Sequence, residues 1–268
     1  VTTAIRASAL YRLAAASAFG LFRLQGWRFD VAGLEHVPRA GGTVLAMNHT
    51  SFVDFFTVGR APYRDLGRPV RILAKQSLFR TPLFGPVMRS AGHIPVRRGA
   101  GADALAGAVA ALRAGELVGV LPEQTISTSF ELLPFKTGAA RMAIAADAPI
   151  VPAVSWGSHR FWTAGRSPLP RPRLTVVVRY GEPLRAARDD DPADVTAELR
   201  SRMDGLLDAA QREHPEGLPA GAWWVPARLG GGAPTVEAAE AELARLRALW
   251  VRRLERRPHR RSDPGSVA

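Results

Sequence analysis

An α/β fold, built on a mostly parallel sheet flanked by helices, is predicted by three observations. Strand-like and helix-like stretches alternate from about residue 26 to residue 183. Some of the strand-like stretches, such as GTVLAM (42–47) and PIVPAV (149–154), are continuous apolar runs, the pattern of strands covered on both faces. Polar residues follow these runs: His49, Arg97 with Arg98, and Glu123. In a parallel sheet that is where sites form, beyond the carboxyl ends of the strands.

The elements follow in order. The first 22 residues are apolar, but Arg6 and Arg12 interrupt them, and the uncharged run 13–22 is half of what a bilayer span needs. No secretory signal is read in them. They form either a helix in a membrane interface or an ordinary packing helix, since the apolar residues make no clean stripe. Segment 26–38 reads as a strand and a turn. Residues 42–49 read as a buried strand, and Ser51 is placed to cap the helix carried by VDFFTVGRA. A strand is expected over 69–75. Pro82, Gly85 and Pro86 break the apolar run 77–92 into a kinked helix or a loop lining a groove. A short strand over 93–99 runs into a basic turn. The helix over 103–116 stops at Gly115. A strand over 117–125, a helix over 136–148, a buried strand over 149–157 and a last strand over 173–183 complete the sheet.

Two helices close the chain. Residues 192–212 place Val195, Leu199, Met203, Leu206 and Ala210 on one face, and 235–257 do the same with Ala239, Leu243, Leu246, Trp250 and Leu254. Between them 215–234 is rich in Gly and Pro and is a loop. The division expected is an N-terminal apolar interface helix (1–25), an α/β domain (26–214), a loop with a C-terminal amphipathic helix (215–257) and a disordered tail (258–268).

Composition narrows the chemistry. The hydrophobic share of 47% in 268 residues supports a substantial core. The absence of cysteine removes disulfides, thiolate catalysis and cysteine-ligated metal sites. A formal charge of +12, carried mostly by Arg, calls for an anionic partner: nucleic acid, a phospholipid surface or a phosphorylated metabolite.

The stretch AMNHTSFVDFF (46–56) carries the sharpest question. Where a strand feeds a helix through NHTS, Asp54 in the first turns can reach back to His49 in the loop. A carboxylate against an imidazole fixes the tautomer and leaves the other nitrogen free as a base. With no cysteine and no serine in a nucleophile elbow, that base would deprotonate a hydroxyl of the substrate itself. Taken alone, the pair is also compatible with a solvated histidine beside a decorated helix start.

Its neighbours resemble the motifs of the glycerolipid acyltransferases, the lysophosphatidate acyltransferases and their relatives. Asn48, His49 and Asp54 match N-H-x4-D. GHIPVRR supplies Gly92, Ile94, Val96 and Arg98 for G-x-I-x-(I/V)-x-R. LPEQTIS keeps Pro122, Glu123 and Thr125 of F-P-E-G-T-R, IVPAV carries the Pro152 of an apolar fourth motif, and FKTGAARMA carries Lys136. The resemblance covers about residues 26–181.

It implies transfer of an acyl group from acyl-CoA or acyl-carrier protein to a glycerol hydroxyl of lysophosphatidate, forming phosphatidate in phospholipid synthesis. His49 is then the general base and Asp54 its orienter, with no acyl-enzyme, no metal and no bound cofactor. Arg98, helped by Arg97 and Lys136, is expected to hold the acceptor phosphate. Asn48, Glu123, Thr125 and Gly92 are expected to organise the site. The third motif departs from the pattern: Ile126 stands where the family has Arg. That keeps open a related enzyme acting on glycerol 3-phosphate, a lysophospholipid or a glycolipid.

The basic C-terminal run 249–261 alternates with Leu, Trp and Val at helical spacing. This fits an anionic membrane surface at least as well as nucleic acid, and no nucleic-acid motif accompanies it. The expected partners are an acyl thioester donor, a phosphorylated glycerolipid acceptor and an anionic membrane, without nucleic acid. The expected location is peripheral, at the cytoplasmic face of a membrane.

Overall fold

Seven strands form one sheet in the computed structural model, which describes residues 8–82, 84–97 and 101–255. Arg98, the first seven residues and the tail 258–268 lie outside the described residues, as do the side chains beyond residue 245, among them Leu246, Trp250 and Leu254. The strands are β1 (Arg28–Ala32), β2 (Thr43–Met47), β3 (Val70–Lys75), β4 (Ile94–Val96), β5 (Leu117–Val120), β6 (Ile150–Trp156) and β7 (Thr175–Tyr180). Their order is β1-β7-β6-β2-β5-β3-β4. β6, β2, β5, β3 and β4 run parallel to one another. β7 returns antiparallel to β6, and β1 pairs parallel with β7, so these two strands oppose the rest.

The helices are α1 (Ala9–Leu24), α2 (Asp54–Asp65), α3 (Gln76–Phe79), α4 (Phe84–Ser90), α5 (Gly101–Arg113), α6 (Gly138–Ala146), α7 (Pro192–Arg212) and α8 (Val236–Glu255). α5, α6 and α7 cover one face of the sheet; α1 and α2 cover the other. β2 shows why an unbroken apolar run is needed. All five of its residues are buried. Val44 and Ala46 pack under α5–α7, while Leu45 and Met47 pack under α1 and α2. A residue such as Leu45, wholly buried, contributes about 1.5–3 kcal/mol.

The helix ends follow local chemistry. α5 closes at Gly115 in the left-handed conformation, with Gly115 N–H on Leu112 O (2.9 Å) and Glu116 N–H on Ala111 O (3.1 Å). α7 opens on Asp191, whose carboxylate accepts Ala193 N–H at 2.8 Å, with Pro192 in the first turn. Val195, Leu199, Met203 and Ala210 face the sheet, and Leu206 is half-buried beside them. The Gly/Pro-rich loop 215–234 places Trp224 and Val225 in the same core.

Two local expectations change. Ser51 does not cap α2: that helix starts at Asp54 with Val53 in the cap position. The Ser51 hydroxyl instead accepts Val53 N–H at 3.2 Å and donates to Trp162 O at 2.6 Å, because residues 51–53 form a turn before the helix. The run 77–92, expected as a kinked helix or a groove-lining loop, becomes two short helices, α3 and α4.

α1 is anchored by Phe22, stacked on Trp27 at 4.4 Å, and leaves Leu10, Leu13, Leu21 and Leu24 exposed. None of the described helices is long and apolar enough to cross a membrane.

Candidate active site

Five parallel strands deliver their carboxyl ends to one edge of the sheet. β2 leads to His49, β5 to Glu123, β6 to Ser158, β3 ends at Lys75, and β4 leads to Arg97. The site expected from the polar residues after each strand is therefore a single edge.

His49 sits at its centre with a side chain 18% exposed, so it can meet a substrate. Its Nδ1 faces Asp54 Oδ2 at 3.3 Å. With a hydrogen on Nδ1 donated to the carboxylate, the Nε2 lone pair is left free. Asp54 is 1% exposed and is the first residue of α2, where the helix dipole favours an anion. Its Oδ2 also accepts Thr50 N–H and Ser51 N–H, each at 2.7 Å, and its Oδ1 accepts the Ser158 hydroxyl at 2.9 Å. Four donors on two oxygens hold this buried carboxylate in place.

The backbone of His49 is held just as firmly. Its N–H donates to Glu123 Oε1 at 2.7 Å, and its carbonyl accepts Ser127 N–H at 2.8 Å. Glu123 Oε2 accepts Leu133 N–H at 3.0 Å. Burial pushes the Glu123 carboxyl up to about 8, while the Leu133 and His49 amides pull it back. Arg200 of α7 donates to the carbonyls of Leu133 (2.6 Å) and Leu132 (3.0 Å), fixing the strap that carries the second amide.

Asn48 is fully buried and clamps β2 to β6. Its Nδ2 donates to Ser155 O at 3.1 Å and its Oδ1 accepts Ser155 N–H at 2.8 Å. Thr125 is half-buried in the turn after Glu123. Lys136 ties that turn through its backbone N–H on Pro122 O (3.0 Å), and its side chain is exposed. Arg97 is exposed and paired with Asp103 at 2.7 Å. Gly92 precedes β4, level with Arg71 and Val44 by the strand register, and so lies below the edge that carries His49. Its φ of +63° favours glycine, and a side chain there would have to displace the Arg71 guanidinium.

Lys75, Ser158 and Arg200 were not singled out by the sequence reading. Lys75 ends a strand-like run, and its register opposite Val96 puts it beside Arg97. Its position after an apolar run was the signal available; Ser158 and Arg200 carried none. Among the described residues no group of three or more His, Asp or Glu is placed to hold a metal ion.

Comparisons with known proteins point the same way as this geometry. A family model described as Acyltransferase matches residues 28–156. The chain is similar to the 1-acyl-sn-glycerol-3-phosphate acyltransferase of Bacillus subtilis, with 30% identity over 156 residues, covering 57% of this chain and 72% of that protein. It is 31% identical over 166 residues to an enzyme of the same name from Limnanthes alba, covering 60% of this chain. It spans 56% of that protein, and 40% of a chloroplastic relative from Brassica napus. The crystal structure of the 1-acyl-sn-glycerophosphate acyltransferase PlsC from Thermotoga maritima superposes with a TM-score of 0.59 at 21% identity. The match covers 73% of this chain and 79% of that one and shows a shared fold.

Proposed function

The chain belongs to the acyltransferase family, and we propose that it transfers a fatty acyl chain from an acyl thioester to the free glycerol hydroxyl of lysophosphatidate. The observation that carries this reading is His49 Nδ1 against Asp54 Oδ2, with both backbone groups of His49 tied to the turn after β5.

In this reading His49 Nε2 takes the proton of the glycerol hydroxyl as its oxygen attacks the thioester carbonyl. The carbon–oxygen bond forms, the carbon–sulfur bond breaks, and the proton passes from His49 to the departing thiolate. A thioester is already activated, so a held base and a held acceptor are sufficient, and the base contributes roughly 10²–10⁴-fold. The donor is acyl-CoA or acyl-carrier protein, with no bound cofactor.

The acceptor phosphate is assigned to Arg98 first, helped by Arg97 and Lys136. The Arg97–Asp103 pair is exposed on both sides, 58% and 67%. Such pairs are worth about 0–1 kcal/mol, so a phosphate dianion can displace the aspartate. A second reading is favoured by Ile126, which leaves the turn after Glu123 without its expected cation. It assigns the same chemistry to glycerol 3-phosphate, another lysophospholipid or a glycolipid.

The protein itself is assigned to the cytoplasmic face of a membrane. Supporting a membrane surface are the exposed leucines of α1 and an exposed aromatic pair, Phe52 (48%) and Trp162 (37%), whose rings lie tilted 4.7 Å apart. Thioester release from oleoyl-CoA, measured with lysophosphatidate, glycerol 3-phosphate, lysophosphatidylcholine and monoacylglycerol in turn, tests the assignment. The largest acceptor-dependent rate is expected with lysophosphatidate. A larger rate with monoacylglycerol removes the phosphate from the recognition.

A further inference from the structure

Asp54 is gripped from two directions, and its two oxygens are divided between them. Oδ2 belongs to the loop of the first motif: it takes the N–H groups of Thr50 and Ser51 and faces His49. Oδ1 has one partner among the described residues, the hydroxyl of Ser158, which lies 104 positions away. Ser158 is fully buried and opens the short 3-10 turn after β6.

That turn is built rigidly. Gly157, at φ +104°, lies against the Thr175 carbonyl with no room for a Cβ. His159 is buried between the rings of Phe130 (4.3 Å) and Trp156 (4.4 Å), and its Nε2 meets the Trp224 carbonyl at 3.0 Å. Arg160 lies over the Trp224 ring at 4.3 Å and pairs with Glu216 at 2.6 Å. The Ser158 carbonyl lies 3.3 Å from the Ser51 hydroxyl, whose hydrogen goes mainly to Trp162 O at 2.6 Å. The 215–234 loop thus anchors the turn that holds the aspartate.

We propose that Ser158 is a positioning residue for acyl transfer. Its hydroxyl holds Oδ1 of Asp54 while the Thr50 and Ser51 amides hold Oδ2, and together they set the plane in which Oδ2 meets His49. Without the hydroxyl, one oxygen of a buried carboxylate loses its donor and the carboxylate plane is held at one end only, which loosens its alignment with the imidazole. The inference rests on the reading of His49 as base and Asp54 as its orienter.

The test is a double-mutant cycle with oleoyl-CoA and lysophosphatidate as substrates. Ser158→Ala is expected to lower kcat about ten- to a hundredfold, the range for a lost bond to a charged group, with both KM values within about twofold. On an Asp54→Ala background, where no carboxylate remains to be pinned, the same substitution is expected to change kcat by less than about twofold. Ser158→Cys fills nearly the same volume with a weaker donor and is expected to follow Ser158→Ala. It gives the same readings should the alanine variant not fold. An unchanged kcat in either variant overturns the proposal, and so does an equal loss on the Asp54→Ala background, which marks a role confined to folding. His49→Ala, run alongside, separates the two layers. If it is inactive while Ser158→Ala is unaffected, only the role of Ser158 fails; if it keeps wild-type kcat, the general-base reading fails and takes this one with it.

Discussion

Glu123 Oε1 accepts the backbone N–H of His49 at 2.7 Å and thereby joins two residues 74 positions apart. The bond makes the turn after β5 a support for His49 rather than a neighbour of it. Ser127 N–H on the His49 carbonyl completes the clasp. Glu123→Ala removes the acceptor of two buried N–H groups, those of His49 and Leu133. It is expected to destabilise the fold by about 1–3 kcal/mol per orphaned group and to lower kcat more than it raises KM. Urea unfolding and steady-state kinetics on the same preparation check both parts.

The same carboxyl predicts a pH dependence. Burial lifts Glu123 from an ordinary value near 4.5 to about 8. Between those values the folded protein keeps a proton that the unfolded chain has released. Stability from this group is therefore full below about pH 4.5, falls as pH rises, and is gone above about 8. The limiting slope is about 1.4 kcal/mol per pH unit. Glu123→Gln cannot titrate and is expected to lose this slope. Urea midpoints of both proteins at several pH values from 5 to 8.5 measure it; identical slopes in the two contradict the assignment.

Gln124 follows at φ +60°, a left-handed conformation that suits glycine and costs other residues about 1–2 kcal/mol. Its side chain is exposed. Gln124→Gly is expected to stabilise the protein by about 0.5–1 kcal/mol after the added flexibility of the unfolded chain is subtracted. A thermal melt gives the answer, and a lowered Tm contradicts the strain.

Arg98→Ala is expected to lower kcat/KM for lysophosphatidate by about ten- to a hundredfold, the range for one charge-assisted bond. Activity on monoacylglycerol, already low, is expected to stay unchanged. Arg97→Ala and Lys136→Ala are expected to do less. Equal losses on both acceptors contradict the phosphate assignment.

Membrane binding is expected to depend on the outer face of α1. Removing residues 1–22 takes away Phe22 and its stack on Trp27, so that deletion disturbs the core as well as the surface. Leu13→Gln with Leu24→Gln is the cleaner change, because these side chains are 64% and 85% exposed. Wild type is expected to sediment with anionic vesicles at low salt and to be released in part by salt. The double variant is expected to bind less, with its unfolding midpoint unchanged. Wild type left in the supernatant at low salt contradicts the interfacial reading.

The parts of the fold legible in the sequence were those written locally. The apolar runs of β2 and β6 announce strands covered on both faces, and His49 five residues before Asp54 announces a contact across one turn. Gly115 marks a helix end because only local geometry decides it. Strand direction was not legible: nothing in RLTVVVRY distinguishes a strand antiparallel to β6 from a parallel one. Ser158 and Arg200 were hidden for the same reason. Their partners, Asp54 and the strap at Leu132–Leu133, come from chain segments that meet only when β2, β5 and β6 align and α7 packs across them. Ser51 misled because a serine three residues before a helix resembles a cap, yet its hydroxyl answers to Trp162.

The central claim, that His49 is the base for acyl transfer to a glycerol hydroxyl, is tested most directly by His49→Ala. The measurement is acceptor-dependent thiol release from oleoyl-CoA with lysophosphatidate, alongside a thermal melt. The expected result is a kcat lowered roughly 10²–10⁴-fold with the melt unchanged, because the imidazole is partly exposed and its backbone bonds to Glu123 and Ser127 remain. A folded His49→Ala protein that keeps more than about a tenth of wild-type kcat contradicts the account.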